Sequence, residues 1–389
     1  MPTTKMKNLA YRLALPIMAP RTPARPVHLV SGRPLNHAGR YARLLRRHHV
    51  QGASTLFASG EDCSLALSHG SLPGHEARED TWYRVASITK MAATLACLRL
   101  CALKQVPLDA PAAELLGEAG KACPELQGVT LRHLLSHTAG LQDPPDLEQI
   151  LEAGVPFSEV MKKARFASPG TAFRYSNLGF GLVGSVLESL SGEPVDRALR
   201  QLCFDPLGLE ATVNAGEVPP EKNMPITRIL PFRNQHLRVT PLGSREISGP
   251  DPARHYGYTA GSMYITVQSL FALMRFFRDG RPDVLPEELR REMLTQQAEY
   301  GLISPTLSYG LGMLFIRDPA LSSGRIVGHQ GFAYGCADGA FFEEDTGRIL
   351  ITLNGGASEA RQGRLGLLNR DLLRFAFQKE VPSWKPSQK

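Results

Sequence analysis

Strand-like segments lie at both ends of the 389-residue chain, and a helical, loop-rich stretch separates them. Near the N-terminus, short runs at 52–58 and 63–69 flank the turn Gly60-Glu61-Asp62, which predicts a hairpin. Similar runs near the C-terminus occur at 309–317, 325–329, 333–343 and 348–354. Because short turns join these runs, the pairing should be antiparallel, and one sheet should contain strands from both ends of the chain.

The middle of the chain is predicted to form a helical lobe inserted into this sheet. Ser87 opens an apolar segment that continues to Leu103 and is long enough for a buried helix. Residues 204–255 are rich in Pro and Gly and lack periodicity, which predicts an irregular rim over a site. Further helices are expected at 37–47, 131–137, 177–190, 266–278, 286–296 and 365–378.

The fold class that follows is α+β, an antiparallel sheet flanked by helices with an inserted mainly helical lobe. We expect the sheet lobe to come from about 40–86 and 300–378, and the helical lobe from about 87–299. Both lobes should belong to one folded domain over residues 27–378.

Positive charge is concentrated near the N-terminus. Residues 1–50 carry ten Lys or Arg and no Asp or Glu, whereas the rest of the chain carries 34 basic and 37 acidic side chains. A nucleic-acid-binding domain more often spreads its basic residues over a folded face, so no nucleic-acid partner is expected. We expect residues 1–26 to be a basic flexible tail and residues 379–389 to be a polar tail.

Composition and cysteine usage narrow the class of protein further. The chain is 43% hydrophobic and 21% charged, which is typical of a globular protein. No run approaches the ~20 apolar residues of a membrane-spanning helix, so no integral membrane contact is expected. Six cysteines without a C-x-x-C pair indicate reduced thiols. This pattern favours the cytoplasm, although the basic N-terminal leader could be a targeting segment.

The candidate nucleophile is Ser87, which belongs to the only Ser-x-x-Lys motif in the chain. Ser87 opens the apolar helix, and a step of three residues returns Lys90 to the same helix face. The N-terminus of a helix offers partial positive charge to an anion that forms at the serine. A lysine in an apolar run is desolvated, so it loses its proton more easily and can take that of the serine.

Two later segments add polar groups to this candidate site. Tyr175 precedes a predicted helix and would act as a proton shuttle if neighbouring lysines lower its pKa. Asn177 offers a hydrogen-bond donor and an acceptor, which suit binding a substrate amide or steadying Lys90. The segment Gly328-His329-Gln330-Gly331 lies among the late strand-like runs. A glycine on a strand often marks the close approach of another backbone or a ligand. The N–H of the next residue, Phe332, would then join that of Ser87 in binding an oxyanion.

These motifs together resemble the serine β-lactamase and penicillin-binding-protein superfamily, in its class C-like branch, which includes D-alanyl-D-alanine carboxypeptidases and esterases. The resemblance covers roughly residues 40–378 in the right order. Beyond the three motifs, it is carried by Trp82-Tyr83-Arg84-Val85-Ala86 before Ser87, Val129 to Leu141, Tyr258-Thr259-Ala260-Gly261-Ser262, Tyr309-Gly310-Leu311-Gly312, and Gly328 to Asn354.

The resemblance implies roles for individual residues. Ser87 would be the nucleophile and Lys90 its base, and Tyr175 would relay protons. Asn177 would bind substrate or support Lys90, and His329 and Gly331 would fill the third motif.

The third motif departs from that of many β-lactamases, which have Lys-Thr-Gly where this chain has His-Gln-Gly. A histidine with a pKa near ~6.5 is mostly neutral at pH 7 and charged only toward acid pH, so strong β-lactam hydrolysis is not expected. His133 and His137 have the i, i+4 spacing of a zinc helix, but a leucine stands where the catalytic Glu belongs. No metal and no cofactor are therefore expected.

The sequence thus predicts a serine hydrolase that acts through an acyl-enzyme on a small ester, amide, D-peptide or β-lactam. One alternative is an acyltransferase that uses the same acyl-enzyme. The other is a non-catalytic relative that takes part in assembly or binds peptides. The expected partner is a small-molecule or short peptide substrate.

Overall fold

A nine-stranded antiparallel sheet forms the centre of the computed structural model. The structure describes residues 27–31, 38–60, 62–229, 234–237 and 247–378, together with residues 9, 10, 13, 14 and 17, which are helical. The flexible tail predicted for residues 1–26 otherwise lies outside the described residues, as does the whole of the polar tail predicted for 379–389.

The described residues form sixteen strands, and those of the large sheet are short at its edges and longer in its middle. They are β1 (Val27–Ser31), β2 (Ala53–Ser59), β3 (Asp62–Ser68), β4 (Trp82–Arg84), β5 (Ala211–Thr212), β6 (Ile226–Ile229), β7 (Asn234–Leu237), β8 (Tyr264–Thr266), β9 (Ala298–Glu299), β10 (Leu307–Tyr309), β11 (Leu314–Ile316), β12 (Ile326–Ala333), β13 (Cys336–Glu343), β14 (Ile349–Asn354), β15 (Arg361–Gln362) and β16 (Leu365–Gly366).

The α-helices lie mostly between β3 and β9 in the chain. They are α1 (Ala38–Arg47), α2 (Thr89–Lys104), α3 (Ala112–Leu115), α4 (Gly117–Lys121), α5 (Leu131–Leu135), α6 (Leu147–Ala153), α7 (Phe157–Met161), α8 (Asn177–Ser191), α9 (Val195–Leu199), α10 (Asp205–Leu207), α11 (Tyr258–Gly261), α12 (Val267–Asp279), α13 (Glu287–Met293) and α14 (Leu367–Phe377).

Strands from both ends of the chain meet in the large sheet, as predicted. Its order is β1-β3-β2-β14-β13-β12-β11-β10-β9, and β14 joins the two ends by pairing with β2 from Ile349↔Ala58 to Asn354↔Ala53. Every pair in this sheet is antiparallel. The two edge strands β1 and β9 were not predicted, and β1 lies outside the sheet lobe expected to start at about residue 40.

Two strand boundaries differ from the prediction. The run at 309–317 is two strands, β10 and β11, because a turn closed by the Gly310 N–H and the Met313 carbonyl interrupts it. The predicted gap at 330–332 is absent, since β12 continues to Ala333 and turns at Tyr334 and Gly335. Gly331 and Phe332 consequently lie within a strand.

Helices cover both faces of the sheet. On one face, α1 and α14 pack with Tyr41, Leu45, Leu372 and Phe375 against strand residues such as Phe341. On the other face lies the helical lobe, with α2 at its centre. The stretch Ala86–Lys104 is long and apolar enough to span a membrane. However, 78% of its most apolar 18 residues is buried inside the fold, which identifies it as the core helix of the lobe.

A small sheet that the sequence analysis did not predict contains β4, the strand before α2. It has the order β4-β8-β5, and Arg84 of β4 pairs with Tyr264 of β8. Its strands have two or three residues, which is too short for an alternating pattern to be visible in the sequence. This sheet holds the segment that leads into Ser87.

Candidate functional site

Ser87 lies in a tight turn between β4 and α2. Ala86–Ile88 forms a 3-10 turn, and the Ile88 N–H donates to the Val85 carbonyl at 3.2 Å. Ala86 has φ +46°, a left-handed conformation that is uncommon for a residue with a Cβ and is typical of functional sites. The half-buried Ser87 therefore stands at a strained corner, with the core helix beginning two residues later.

Lys90 lies one turn further along, as predicted, and its ammonium group is enclosed by acceptors. Nζ is 3.1 Å from Ser87 Oγ, 2.9 Å from Asn177 Oδ1 and 2.5 Å from the Ala260 carbonyl oxygen. Lys90 is fully buried, and this desolvation lowers its pKa to about 7 although the Asp143 carboxylate opposes the shift. A substantial fraction of Lys90 is thus neutral at neutral pH and can accept a proton from Ser87.

Tyr175 stands beside these two residues. The Lys90 ammonium lies 4.9 Å from the centroid of its ring. Burial raises the pKa of Tyr175 above the usual value, and a hydrogen bond to Ser87 opposes the shift only in part. The condition set for a proton shuttle, that neighbouring lysines lower the pKa of Tyr175, is therefore not met, because burial raises this pKa. Tyr175 keeps its proton at neutral pH.

Asn177 is held between Lys90 and a carboxylate that the sequence analysis missed. Its Nδ2 donates to Asp143 Oδ2 at 3.0 Å while its Oδ1 accepts from Lys90. Asp143 also accepts the backbone N–H groups of Asn177 and Leu178, both at 2.9 Å, and the Ser176 hydroxyl at 2.8 Å. Of the two functions considered for Asn177, this geometry supports steadying Lys90, with Asp143 fixing the N-terminus of α8.

His137 fixes the backbone on both sides of Tyr175. Its carbonyl accepts the Arg174 N–H at 2.8 Å, and its Nδ1 accepts the Ser176 N–H at 3.2 Å. Its ring centroid lies 4.2 Å from that of Tyr175. His137 itself has φ +59°, a strained conformation two residues after the end of the Leu131–Leu135 helix, and its contacts orient the tyrosine.

His329 is buried on β12, and both ring nitrogens are engaged. Nδ1 lies 2.7 Å from the Gln330 carbonyl, so it carries the proton, and Nε2 then accepts from the Tyr309 hydroxyl at 3.0 Å. Burial, reinforced by the charge of Lys90, lowers the pKa of His329 to about 3. The expectation that His329 becomes charged toward acid pH is therefore wrong over the working range, since its burial could not be read from the motif.

Gly331 brings β12 against the turn that carries Ser87. A Cβ at this position would clash with the carbonyl oxygen of Val85 and lie 3.4 Å from the Ala86 Cβ. The close backbone approach predicted from this glycine is thus present. Phe332 follows directly on the same strand, paired with Ala337 of β13.

The site opens into a cavity of about 230 Å³. Five predicted residues line it: Ser87, Tyr175, Asn177, His329 and Phe332. Lys90 contacts Ser87, and Gly331 packs against Val85 and Ala86 just before Ser87. The structure therefore brings all seven predicted site residues together.

The other residues that line the cavity were not predicted. They are Tyr300, Leu314, Gln330, Arg361 and Arg364. Among the described residues of 204–255, none lines the cavity, and residues 230–233 and 238–246 of the predicted rim lie outside the described residues. Segments around Tyr300 and around Arg361 form part of the cavity wall, and no motif marks either of them in the sequence.

Comparisons with known proteins agree with this geometry. The family model described as Beta-lactamase matches residues 38–368. Esterase EstB of Burkholderia gladioli is 26% identical over 384 residues, which cover 85% of this chain and 92% of the esterase. Penicillin-binding protein 4 of Amycolatopsis lactamdurans is 29% identical over 197 residues, 47% of this chain and 51% of that protein.

Solved structures show the same architecture. EstCE1, described as a hydrolase with promiscuous acyltransferase activity, has a TM-score of 0.70 at 21% identity, covering 86% of this chain and 97% of EstCE1. D-amino acid amidase of Ochrobactrum anthropi SV3 has a TM-score of 0.66 at 23% identity, covering 86% and 94%. The predicted α+β fold class is confirmed by these likenesses. Because the family model spans most of the sequence, the chain belongs to the beta-lactamase family, as its motifs predicted.

Proposed function

We propose that this protein is a serine hydrolase in which Ser87 forms an acyl-enzyme after giving its proton to Lys90. The observation that carries the proposal is the buried Lys90 Nζ, 3.1 Å from Ser87 Oγ and with a pKa lowered to about 7. A base with a pKa near the operating pH is the most effective in general base catalysis. The hydrogen-bonded arrangement of Ser87, Lys90 and Asn177 also speaks against a non-catalytic relative.

The first half of the reaction makes the acyl-enzyme. Neutral Lys90 takes the proton of Ser87, and Oγ attacks the acyl carbon. The N–H groups of Ser87 and Phe332 stabilise the oxyanion. Tyr175, which hydrogen-bonds to Ser87, gives its proton to the leaving group and is reprotonated from Lys90.

The second half releases the acyl group. A water molecule loses a proton to neutral Lys90 by way of Tyr175, and its oxygen attacks the acyl carbon. The bond to Ser87 Oγ then breaks, and Oγ recovers a proton from Lys90. An alcohol or amine in place of water gives acyl transfer, the activity that the description of the neighbouring structure EstCE1 mentions beside hydrolysis.

Short esters are the substrates that we assign first, because EstB, a relative that matches along almost its whole length, is named an esterase. A cavity of about 230 Å³ admits a small acyl group or a small leaving group. Amides, D-peptides and β-lactams remain candidates through the likeness to the amidase and to penicillin-binding protein 4.

Turnover of 4-nitrophenyl acetate and butyrate tests the proposal. Wild-type protein should hydrolyse both esters, and Ser87→Ala should lose at least about 10³-fold in kcat, since a nucleophile knockout retains only binding and oxyanion contributions. Ser158→Ala on α7, which does not line the cavity, is the matched control and should keep wild-type rates. An Ser87→Ala variant that retains wild-type rates contradicts the proposal.

A further inference from the structure

Asp143 lies on the loop between α5 and α6, and its side chain is half-buried. The backbone of this loop is fixed by its neighbours. The Gln142 N–H donates to the Ala164 carbonyl at 2.8 Å, and Leu141 forms an antiparallel β-bridge with Arg165. The carboxylate of Asp143 therefore has a defined position at the start of α8.

The Asp143 carboxylate accepts four hydrogen bonds at this position. Its Oδ1 accepts from the Ser176 hydroxyl and the Leu178 N–H, and its Oδ2 accepts from the backbone N–H and the side-chain Nδ2 of Asn177. Four donors match an ionised carboxylate, which can only accept. Ser176 already caps α8 by accepting the Gly179 N–H at 2.9 Å, so a carboxylate in addition to this cap indicates a further role.

The contact with Asp143 decides which end of the Asn177 amide faces Lys90. An amide has a donor end, Nδ2, and an acceptor end, Oδ1. Because the carboxylate of Asp143 takes Nδ2, Oδ1 is directed at Lys90 Nζ, 2.9 Å away. In a reversed amide, the NH₂ group would face the ammonium group, and the amide oxygen would face the carboxylate. Asp143 therefore fixes the orientation in which Asn177 stabilises protonated Lys90.

The charge of Asp143 also acts on Lys90. Burial lowers the pKa of Lys90, and the Asp143 carboxylate opposes this shift by favouring the ammonium form. Three further titratable groups near Lys90 are neutral close to pH 7, because burial lowers the pKa of His137 and of His329 and raises that of Tyr175. Asp143 thus supplies negative charge in a neutral surrounding.

We propose that Asp143 is a positioning residue of the reaction, which orients Lys90 and balances its charge through Asn177 and thereby sets the pH at which the site becomes active. This inference rests on the proposed function. When Lys90 takes the proton of Ser87, a positive charge forms in a buried site. The Asp143 carboxylate, linked to Lys90 by the Asn177 amide, stabilises that charge without having to move.

The pH profile of Asp143→Asn tests this role, because asparagine keeps the size of the side chain and removes its charge. The ammonium form of Lys90 then loses stabilisation. The half-maximum of kcat/KM for 4-nitrophenyl butyrate should therefore move from about 7 to lower pH by about half a unit to one unit. The ratio of kcat/KM at pH 6 to that at pH 8 should rise about two- to fivefold.

Two further variants of Asp143 extend the test. Asp143→Ala also removes the charge, without placing an NH₂ group among the donors, and should show the same shift. It frees the Asn177 amide as well, so kcat on the plateau should fall by about tenfold or more. Asp143→Glu retains the charge and should keep its half-maximum near the wild-type value of about 7.

Glu188→Gln is the matched control. Glu188 is a buried carboxylate toward the other end of α8, about 16 Å along the helix axis, and it accepts the N–H groups of Val195 and Asp251. Glu188→Gln and Asp143→Asn should both lower the Tm, but Glu188→Gln should leave the half-maximum unchanged. If Asp143→Asn lowers the Tm and keeps the wild-type half-maximum, its role is structural and the inference is overturned.

A titration of Lys90 without turnover separates this inference from the proposed function. In protein labelled with ¹³C at the Cε of lysine, the NMR signal that is missing from Lys90→Met identifies Lys90. This signal should titrate near pH 7 in the wild type and at lower pH in Asp143→Asn. If the wild type hydrolyses no ester but the titration shifts, the proposed function fails and the action of Asp143 on Lys90 stands. If esters are hydrolysed and neither the titration nor the profile shifts, the role of Asp143 is overturned.

Discussion

At the scale of single residues, Lys90 determines what the site can do. Its ammonium group has three acceptors and no access to solvent, so its protonated form is stabilised by hydrogen bonds and destabilised by burial. Burial dominates and lowers the pKa of Lys90 to about 7. A lysine at its ordinary pKa of 10.5 would almost never be neutral at pH 7.

The pH profile of kcat/KM for a neutral ester should follow the titration of Lys90. Because the neutral amine is the active form, kcat/KM should rise with pH, pass half-maximum near the Lys90 pKa of about 7 and level off above it. His329, with its pKa near 3, should contribute no inflection between pH 5 and 9. A flat profile over this range, or a fall with rising pH through 7, is incompatible with Lys90 as the base.

Lys90 and Tyr175 should behave as one unit in mutant kinetics. Lys90→Met and Tyr175→Phe should each lower kcat/KM by about 10²–10⁴-fold, the usual range for acid–base groups. The double variant should be little worse than the poorer single variant, as for residues that act together. Steady-state kinetics of the four proteins, with the Tm as a check on folding, measure this, and fully multiplicative losses would show independent roles.

Residue types and spacing were enough to predict which side chains assemble, but not their protonation. The spacing of Ser87 and Lys90 on one helix predicted that they lie together, Tyr175 and His329 were added from two later segments, and the resemblance assigned their roles. The pKa shifts of Tyr175 and His329 depend on burial by distant segments. A motif contains no information on that burial, so the sequence did not show that the pKa of Tyr175 is raised and that of His329 is lowered.

At the scale of elements, the contact between β12 and the turn Ala86–Ile88 sets the geometry of the site. It depends on Gly331, because any Cβ there would clash with the Val85 carbonyl. The same strand carries His329 and Phe332, so a displacement of β12 would move the third motif away from Ser87.

Gly331→Ala should therefore impair both stability and activity. We expect the free energy of unfolding to fall by about 1–3 kcal/mol, the usual cost of overpacking. We also expect kcat to fall by at least about tenfold, because small displacements of reacting groups are costly. Urea denaturation and ester turnover measure the two effects. Gly249→Ala, with no heavy atom within 4 Å of the new Cβ, is the control, and equal behaviour of the two variants would contradict this account.

Elements with several residues of regular pattern were predictable, and very short ones were not. Helix α2 and the strands β2, β3 and β14 lie within a residue or two of their predicted bounds. The hairpin β15–β16 has only two residues in each strand, and it carries the two arginines of the cavity wall. Tertiary contacts with Gln330 place that hairpin, and such contacts cannot be read from the sequence.

At the scale of the whole molecule, the sheet begins with β1, which pairs with β3 through Val27↔Ser68 and the following residues. The domain boundary at residue 27 stays a prediction, and β1 begins at that residue. The cytoplasmic location also stays a prediction. All six cysteines are free in the structure.

Two truncations test that boundary. A variant without residues 1–26 should keep the wild-type Tm and its turnover of a soluble ester. A variant without residues 1–31 also loses β1 and leaves the backbone groups of β3 on the side away from β2 unpaired, so its Tm should fall by several degrees. Thermal unfolding followed by circular dichroism compares the two. A drop in Tm or activity on removal of 1–26 alone would show that this segment packs on the domain.

Covalent labelling of Ser87 tests the central claim most directly. Wild-type protein treated with a fluorophosphonate should gain the mass of one label, and peptide mapping should place that label on residue 87, the side chain 3.1 Å from Lys90 Nζ. The rate of labelling should rise with pH through about 7, where Lys90 becomes neutral, and Ser87→Ala should not react. Labelling that persists in Ser87→Ala, or that maps to another residue in the wild type, would contradict the assignment of Ser87 as the nucleophile.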